Sequence, residues 1–186
     1  MFTIKIGDNK TQKENGLIFI ASEVLLIANA FPSLNLIHTI VFDFDGIFTN
    51  NKVLIHESGS ESVVCDRSDG LALDILRAYQ KIYGLNFNFF ILSKESNPVM
   101  LPRAKKLKLQ CKNAVSNKLQ YLEKYFLESF PGLEKPFDGL VYLGNGLNDL
   151  PAMRKSSFCN CTFRLSSFSF KNCKYSFATK GRRRIY

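Results

Sequence analysis

The chain has no tryptophan, two histidines and six prolines in 186 residues. With His38 and His56 as its whole imidazole content, a zinc centre built on His and Cys ligands is not expected. Its five cysteines, Cys65, Cys111, Cys159, Cys161 and Cys173, include no C-x-x-C pair. An odd number without a framework fits reduced thiols in a cytoplasmic protein. No apolar run reaches the ~20 residues that a bilayer-spanning helix needs. The best candidate, LIFIASEVLLIANA over residues 17–30, is interrupted by Glu23 and ends in Ala28-Asn29-Ala30. Asp8 and Glu14 precede it, where a targeting signal is basic, so a buried helix is the expected structure.

Acidic residues are the most informative scarcity. All 16 lie at or before Asp149, balanced over residues 1–150 by 16 of the 25 basic ones, so the net charge of +9 belongs to the last 36 residues. A folded nucleic-acid binder more often carries its charge as a face across the domain. We therefore expect neither a nucleic-acid nor a membrane partner. The Arg182-Arg183-Arg184 run is where such a contact would lie, and composition alone supports it. The remaining balance, 46% hydrophobic and 22% charged, is that of a soluble globular domain with a real core.

Apolar runs alternate with helical patterns. Leu36–Phe44 reads as a first strand. Lys52–Ile55 and Glu61–Cys65 flank His56-Glu57-Ser58-Gly59-Ser60 and read as a β-hairpin. Ser68 or Asp69 is the expected cap of a helix over Leu71–Tyr83, which Gly84 stops. Phe87–Leu92 and Leu140–Leu143 read as further strands. Pro98–Leu107, Lys118–Phe130 and Leu150–Lys155 read as helices. Strands alternating with helices predict an α/β fold, a Rossmann-like parallel sheet with flanking helices.

The first strand runs into VFDFDGIFT, residues 41–49. Asp43 and Asp45 then stand at its carboxyl edge, where open α/β sheets place their ligands. Such a pair can hold Mg²⁺, and one carboxylate can attack phosphorus. The stretch resembles motif I of the haloacid dehalogenase superfamily. That resemblance implies Asp43 as nucleophile, forming an aspartyl-phosphate, and Asp45 as the acid that protonates the leaving oxygen and then activates water. It implies Mg²⁺ on the Asp43 carboxylate and the Asp45 carbonyl. Ser93 and Lys94, in FFILSKES at the second strand end, match motif II as substrate-binding groups, although Ser93 alone would also suit a helix cap. Lys118 in VSNKLQYL matches the motif III cation, with Lys112 a competitor. In VYLGNGLNDLPAM, Asn145 falls in the substrate loop. The family's usual third-position aspartate is replaced by Gly146, so Asp149 is the carboxylate left to complete a metal site.

About fifty residues separate Asp43 from Ser93, with room for a hairpin and a helix but no large cap. This resembles the capless branch that contains 3-deoxy-D-manno-octulosonate 8-phosphate phosphatase. ESVVCDRSDGLALDIL and ILSKESNPVMLPRAKKLKL look closer still to acylneuraminate 9-phosphatases and to the phosphatase-like domain of bacterial acylneuraminate cytidylyltransferases. Residues 1–36 are too short for such an enzyme's nucleotide-binding part. The resemblance implies a Mg²⁺-dependent phosphatase of an acidic sugar phosphate, with Arg67, Asp69 and Gly70 near the substrate mouth, and a homotetramer formed through the hairpin. The alternative is a degenerate domain kept for oligomerisation or binding, which Gly146 favours. The expected organisation is an extension over residues 1–36, a phosphatase domain over 37–155 and an atypical basic tail over 156–186. The tail lacks the family's glycine-rich end. An ordinary basic tail and an altered reading frame both produce such a change.

Overall fold

The computed structural model describes residues 34–161 and 175–178. The expected helix over residues 17–30, the polar residues 1–16 and the Arg182-Arg183-Arg184 run lie outside the described residues.

Strand β1, Thr39–Phe42, is a β-branched and aromatic run with three of its four residues buried. It lies between two parallel neighbours, β4 (Asn88–Leu92) and β6 (Leu140–Gly144). The edges are β5 (Gln110–Lys112) beside β4, and β7 (Phe158–Cys161) followed by β8 (Tyr175–Ala178) beside β6. Every pairing in this six-stranded sheet is parallel. A parallel sheet is buried on both faces, and β4 shows how. Phe90 and Leu92 point into one cluster, with Leu122, Phe126 and Met153. Ile91, one residue out of phase, points into the other, with Leu73, Met100 and Ala104.

Four helices supply those partners. Helix α1, Ser68–Tyr83, and helix α2, Met100–Lys106, cover one face. Helix α3, Lys118–Ser129, and helix α4, Leu150–Lys155, cover the other. The fold is thus the expected α/β arrangement with helices on both sides of a parallel sheet. Only the antiparallel hairpin β2 (Thr49–Ile55) and β3 (Glu61–Cys65) stands between β1 and α1, so no large cap is present. Among the described residues no helix is long and apolar enough to cross a membrane.

Several details differ from expectation. Helix α1 is not capped by Ser68 or Asp69. Arg67 occupies its N-cap position, and the Asp66 carboxylate accepts from the Ser68 amide at 2.9 Å and its hydroxyl at 2.8 Å. Gly84 does end it, at φ 62°, where a side chain would be strained. Strand β1 is shorter than expected, because residues 34–36 form a 3₁₀ turn and the chain leaves the sheet at Asp43. Strand β5 has three residues and no apolar alternation. The sheet also continues past Lys155, where the composition changes, because Phe158 and Cys159 are buried. Cys65 and Cys111 are free thiols, whereas Cys159 is disulfide-bonded, against the expectation of reduced cysteines throughout.

Candidate active site

Parallel pairing puts the carboxyl ends of β1, β4 and β6 at one edge, with Phe42 level with Ile91 and Leu143. Asp43, Ser93 and Asn145 follow these strands directly or within two residues. They meet around a cavity of about 330 Å³, lined also by Asp45, Lys94 and Glu95. Asn51 from the hairpin and residues 146–148 from the fourth loop complete its wall.

The floor is a buried ionic network. Lys118 Nζ donates to Asp43 Oδ1 at 2.8 Å and to Asp149 Oδ1 at 2.6 Å, and its side chain is fully buried. Asn117 caps α3 by accepting from the Gln120 amide at 3.0 Å, which fixes Lys118 at the first helical position. Asp43 Oδ1 also accepts from the Phe44 amide at 2.8 Å. Among the described residues Oδ2 receives no hydrogen bond, so one oxygen of this carboxylate is left for the cavity. Burial, and then the Asp149 charge, push the Asp43 carboxyl up to about 7 despite Lys118. Asp45 is raised in the same direction, mainly by burial, while Thr49 Oγ1, donating to its Oδ1 at 3.4 Å, opposes the shift.

Ser93 is buried, and its Oγ accepts from the Glu95 amide at 3.1 Å. Its own proton therefore remains available to an oxygen in the cavity. Asn145 lies against Gly46, where a Cβ would fall 1.8 Å from Asn145 Nδ2. Only glycine fits there, and its φ of 81° requires the same residue.

Asp149 does not reach the cavity as a metal ligand. Oδ1 accepts from Lys118 and from the Tyr142 hydroxyl at 2.8 Å, and Oδ2 from the amides of Asn145 at 3.1 Å and Gly146 at 2.9 Å. All four contacts engage a carboxylate that is fully buried. Gly144 makes room for it, since a Cβ there would sit 2.7 Å from Asp149 Cγ. Asp149 thus anchors the fourth loop and Lys118. Among the described residues no cluster of three His, Cys, Asp or Glu side chains is built for a cation. The two remaining oxygen sources, Asp43 and Asp45, still suit Mg²⁺, which commonly takes one or two carboxylates and keeps waters or phosphate oxygens on its other positions.

Arg67, Asp69 and Gly70 do not line the cavity. Asp69 is engaged by Arg103 Nη2 at 2.9 Å, Gly70 faces Leu107, and the Arg67 side chain is exposed. Lys112 is equally outside it; its carbonyl accepts from the Ser93 amide at 2.8 Å. Residues that sequence reasoning missed are Tyr142, Glu95 and Asn51. Glu95 carried a signal in its place beside Ser93 and Lys94, whereas Tyr142 looked like one more apolar strand residue.

No family model matches the chain, and no curated protein does. Solved structures do. A protein assigned to the HAD hydrolases, from Streptomyces avermitilis, aligns over 81% of both chains at 29% identity and a TM-score of 0.64. A protein assigned to the YrbI phosphatases, from Pseudomonas syringae, aligns over 80% of this chain and 79% of its own at 26% identity and a TM-score of 0.65. A 3-deoxy-D-manno-octulosonate 8-phosphate phosphatase from Moraxella catarrhalis, in complex with magnesium, phosphate and KDO, aligns over 80% of both chains at 22% and 0.64. The chain has the fold of the HAD hydrolases, with the aspartate pair at the strand edge where that fold binds its ligands.

The raised Asp43 carboxyl carries a stability consequence. Its folded value, about 7, lies above its ordinary 3.8, so between them the folded state holds a proton that the unfolded state releases. In chelator, this group's contribution is fully present below about pH 4 and is lost as pH rises through about 7. Urea unfolding of the metal-free protein should show stability falling from pH 4 to 7, and a shallower fall in Asp43→Asn. Identical slopes in the two proteins would exclude a proton-holding Asp43.

Proposed function

We propose that the protein is a Mg²⁺-dependent phosphomonoesterase acting on an acidic sugar phosphate of the octulosonate 8-phosphate or acylneuraminate 9-phosphate kind. The observation that carries this is Asp43 held by Lys118 through one oxygen, with its other oxygen turned to a cavity that also contains Asp45 and Ser93. Asp43 attacks phosphorus, the ester P–O bond breaks, and Asp45 gives its proton to the departing sugar oxygen. Burial raises the Asp45 carboxyl, the direction that favours the acid role. Asp45 then takes a proton from water, whose oxygen attacks the aspartyl-phosphate and frees inorganic phosphate and Asp43. Ser93 and the Lys94 ammonium contact phosphoryl oxygens or the sugar carboxylate. Asp43 and the Asp45 carbonyl would hold the Mg²⁺, which would offset the phosphoryl charge.

The neighbours named above support a phosphatase, and the KDO complex supports a sugar acid as ligand class. Gly146 favours a second reading, a domain that binds but turns over poorly, because the fourth loop adds no carboxylate to the cavity. Phosphate release from the two sugar phosphates, with Mg²⁺ and with chelator, separates them. Metal-dependent release that Asp43→Asn abolishes supports the enzyme, and its absence from folded protein moves the reading to a binding domain. A second variant tests the loop. Gly146 has no left-handed φ; a new Cβ would meet the exposed Asn148 carboxamide at 2.1 Å, which can swing aside, and the buried Asp149 Oδ2 at 3.3 Å, which must give by a few tenths of an ångström. Gly146→Asp should lower the half-saturating Mg²⁺ concentration about tenfold, as ligand charge governs affinity. An unchanged titration would mean that another group already completes the site.

The assembly reading is a homotetramer. Val53, Leu54, Ile55 and Val64 leave apolar surface exposed on the hairpin, and Leu71, Ile75 and Ile82 do so along α1. Patches of this size commonly mark interfaces. Light scattering should give a tetramer for the wild type and smaller species for a Leu54→Glu, Ile55→Glu variant. A monomeric wild type would remove this reading.

A further inference from the structure

Among the cavity's lining residues the hairpin contributes Asn51, which is exposed and in a left-handed backbone conformation. Asn51 has φ 59°, the left-handed region where glycine is the residue of least strain. It lies where the pairing register of β2 and β3 breaks between Thr49 and Val53. A bulge of this kind redirects a side chain, and bulges gather beside active sites. The backbone there is well supported, since Thr49 Oγ1 accepts from the Asn51 amide at 3.1 Å and from the Gly46 amide at 3.1 Å while donating to Asp45. The same hydroxyl therefore ties Asn51 to the acid–base residue.

Its neighbour Asn50 accounts for its own carboxamide locally, accepting from the Lys52 amide at 3.1 Å. The Asn51 carboxamide has no such partner among the described residues, and the residue lines the cavity. Asn145 and Asn148 add two more neutral amides to a lining that also carries the charged Asp43, Asp45, Lys94 and Glu95. A carboxamide offers both a donor and an acceptor without charge. That pairing of donor and acceptor suits a hydroxyl group, which both donates and accepts.

We propose that Asn51 is a specificity-determining residue that hydrogen-bonds a hydroxyl of the substrate's sugar chain, so that the site selects polyhydroxylated phosphomonoesters over simple ones. This rests on the phosphatase reading. A glycine at position 51 would relieve the backbone and remove the contact, so Asn51→Gly isolates the side chain without endangering the fold.

The test compares kcat/KM for octulosonate 8-phosphate with kcat/KM for p-nitrophenyl phosphate, in wild type and Asn51→Gly, with melting temperatures as the folding control. The ratio of the two should fall about three- to tenfold in the variant, the effect of losing one neutral hydrogen bond. A ratio unchanged in a folded variant overturns the assignment. If the wild type turns over neither substrate, the phosphatase reading has failed, and calorimetric binding of octulosonate 8-phosphate against inorganic phosphate decides the matter. Asn51→Gly must then weaken the sugar phosphate about three- to tenfold more than inorganic phosphate. Equal weakening, or a wild type that binds neither, overturns it.

Discussion

The site depends on one ammonium group placed between two carboxylates. Lys118 Nζ lies 2.8 Å from Asp43 and 2.6 Å from Asp149, with all three side chains at or near full burial. An isolated charge in such a position is expensive, and removing one partner of a buried pair is typically worth about 3–5 kcal/mol. The network ties together the end of β1, the start of α3 and the entry to α4, with Tyr142 of β6 as a fourth member. It is nonetheless unbalanced, since two carboxylates face one cation. The excess negative charge falls on Asp43, whose carboxyl is driven up by burial and by Asp149. A group in that condition is relieved by a proton or by a cation in the cavity, in keeping with the proposed metal-dependent phosphatase.

Asp149 and Gly146 are best understood together. A single carboxylate cannot accept from Lys118, Tyr142 and two loop amides and also ligate a metal directly. By taking both amides, Asp149 closes the loop over residues 145–148 and sets the course of α4. Gly144 permits this by having no Cβ to fill the space. The loop is thus fully built as a structural unit while contributing no charge to the cavity. A glycine at position 146 therefore leaves the scaffold of the loop intact.

The parts of this arrangement that were legible in the sequence are those that local pattern determines. The apolar run before Asp43, the serine after FFIL and the lysine opening an apolar helical stripe each follow from period and position. A parallel sheet then forces those ends to one edge, so the convergence of Asp43, Asp45, Ser93, Asn145 and Lys118 needed no long-range information beyond topology. What was illegible depends on tertiary partners. Strand β5 is made by its neighbour, since QCK has no pattern of its own. Phe158 and Cys159 of strand β7 are buried in a segment whose composition suggested a tail. Asp149 read as a ligand because nothing local shows that Tyr142 and Lys118 take its oxygens. Arg67, Asp69 and Gly70 read as mouth residues by their resemblance to a family segment, and the pairing of Asp69 with Arg103, 34 residues on, has no local signal.

Gly46 and Asn51 show why a left-handed position does not by itself explain its residue. Gly46 lies in the turn after Asp45 and Asn51 in strand β2, both have positive φ, and both amides reach the Thr49 hydroxyl. At Gly46 the space a side chain would need is filled by Asn145, so backbone and sterics agree on glycine. At Asn51 the space is open to the cavity, so sterics impose nothing and the backbone alone would favour glycine. Asparagine enters that region more readily than other side-chain residues, and Asn51 is exposed where it lines the cavity, so its carboxamide is placed to meet a molecule bound there.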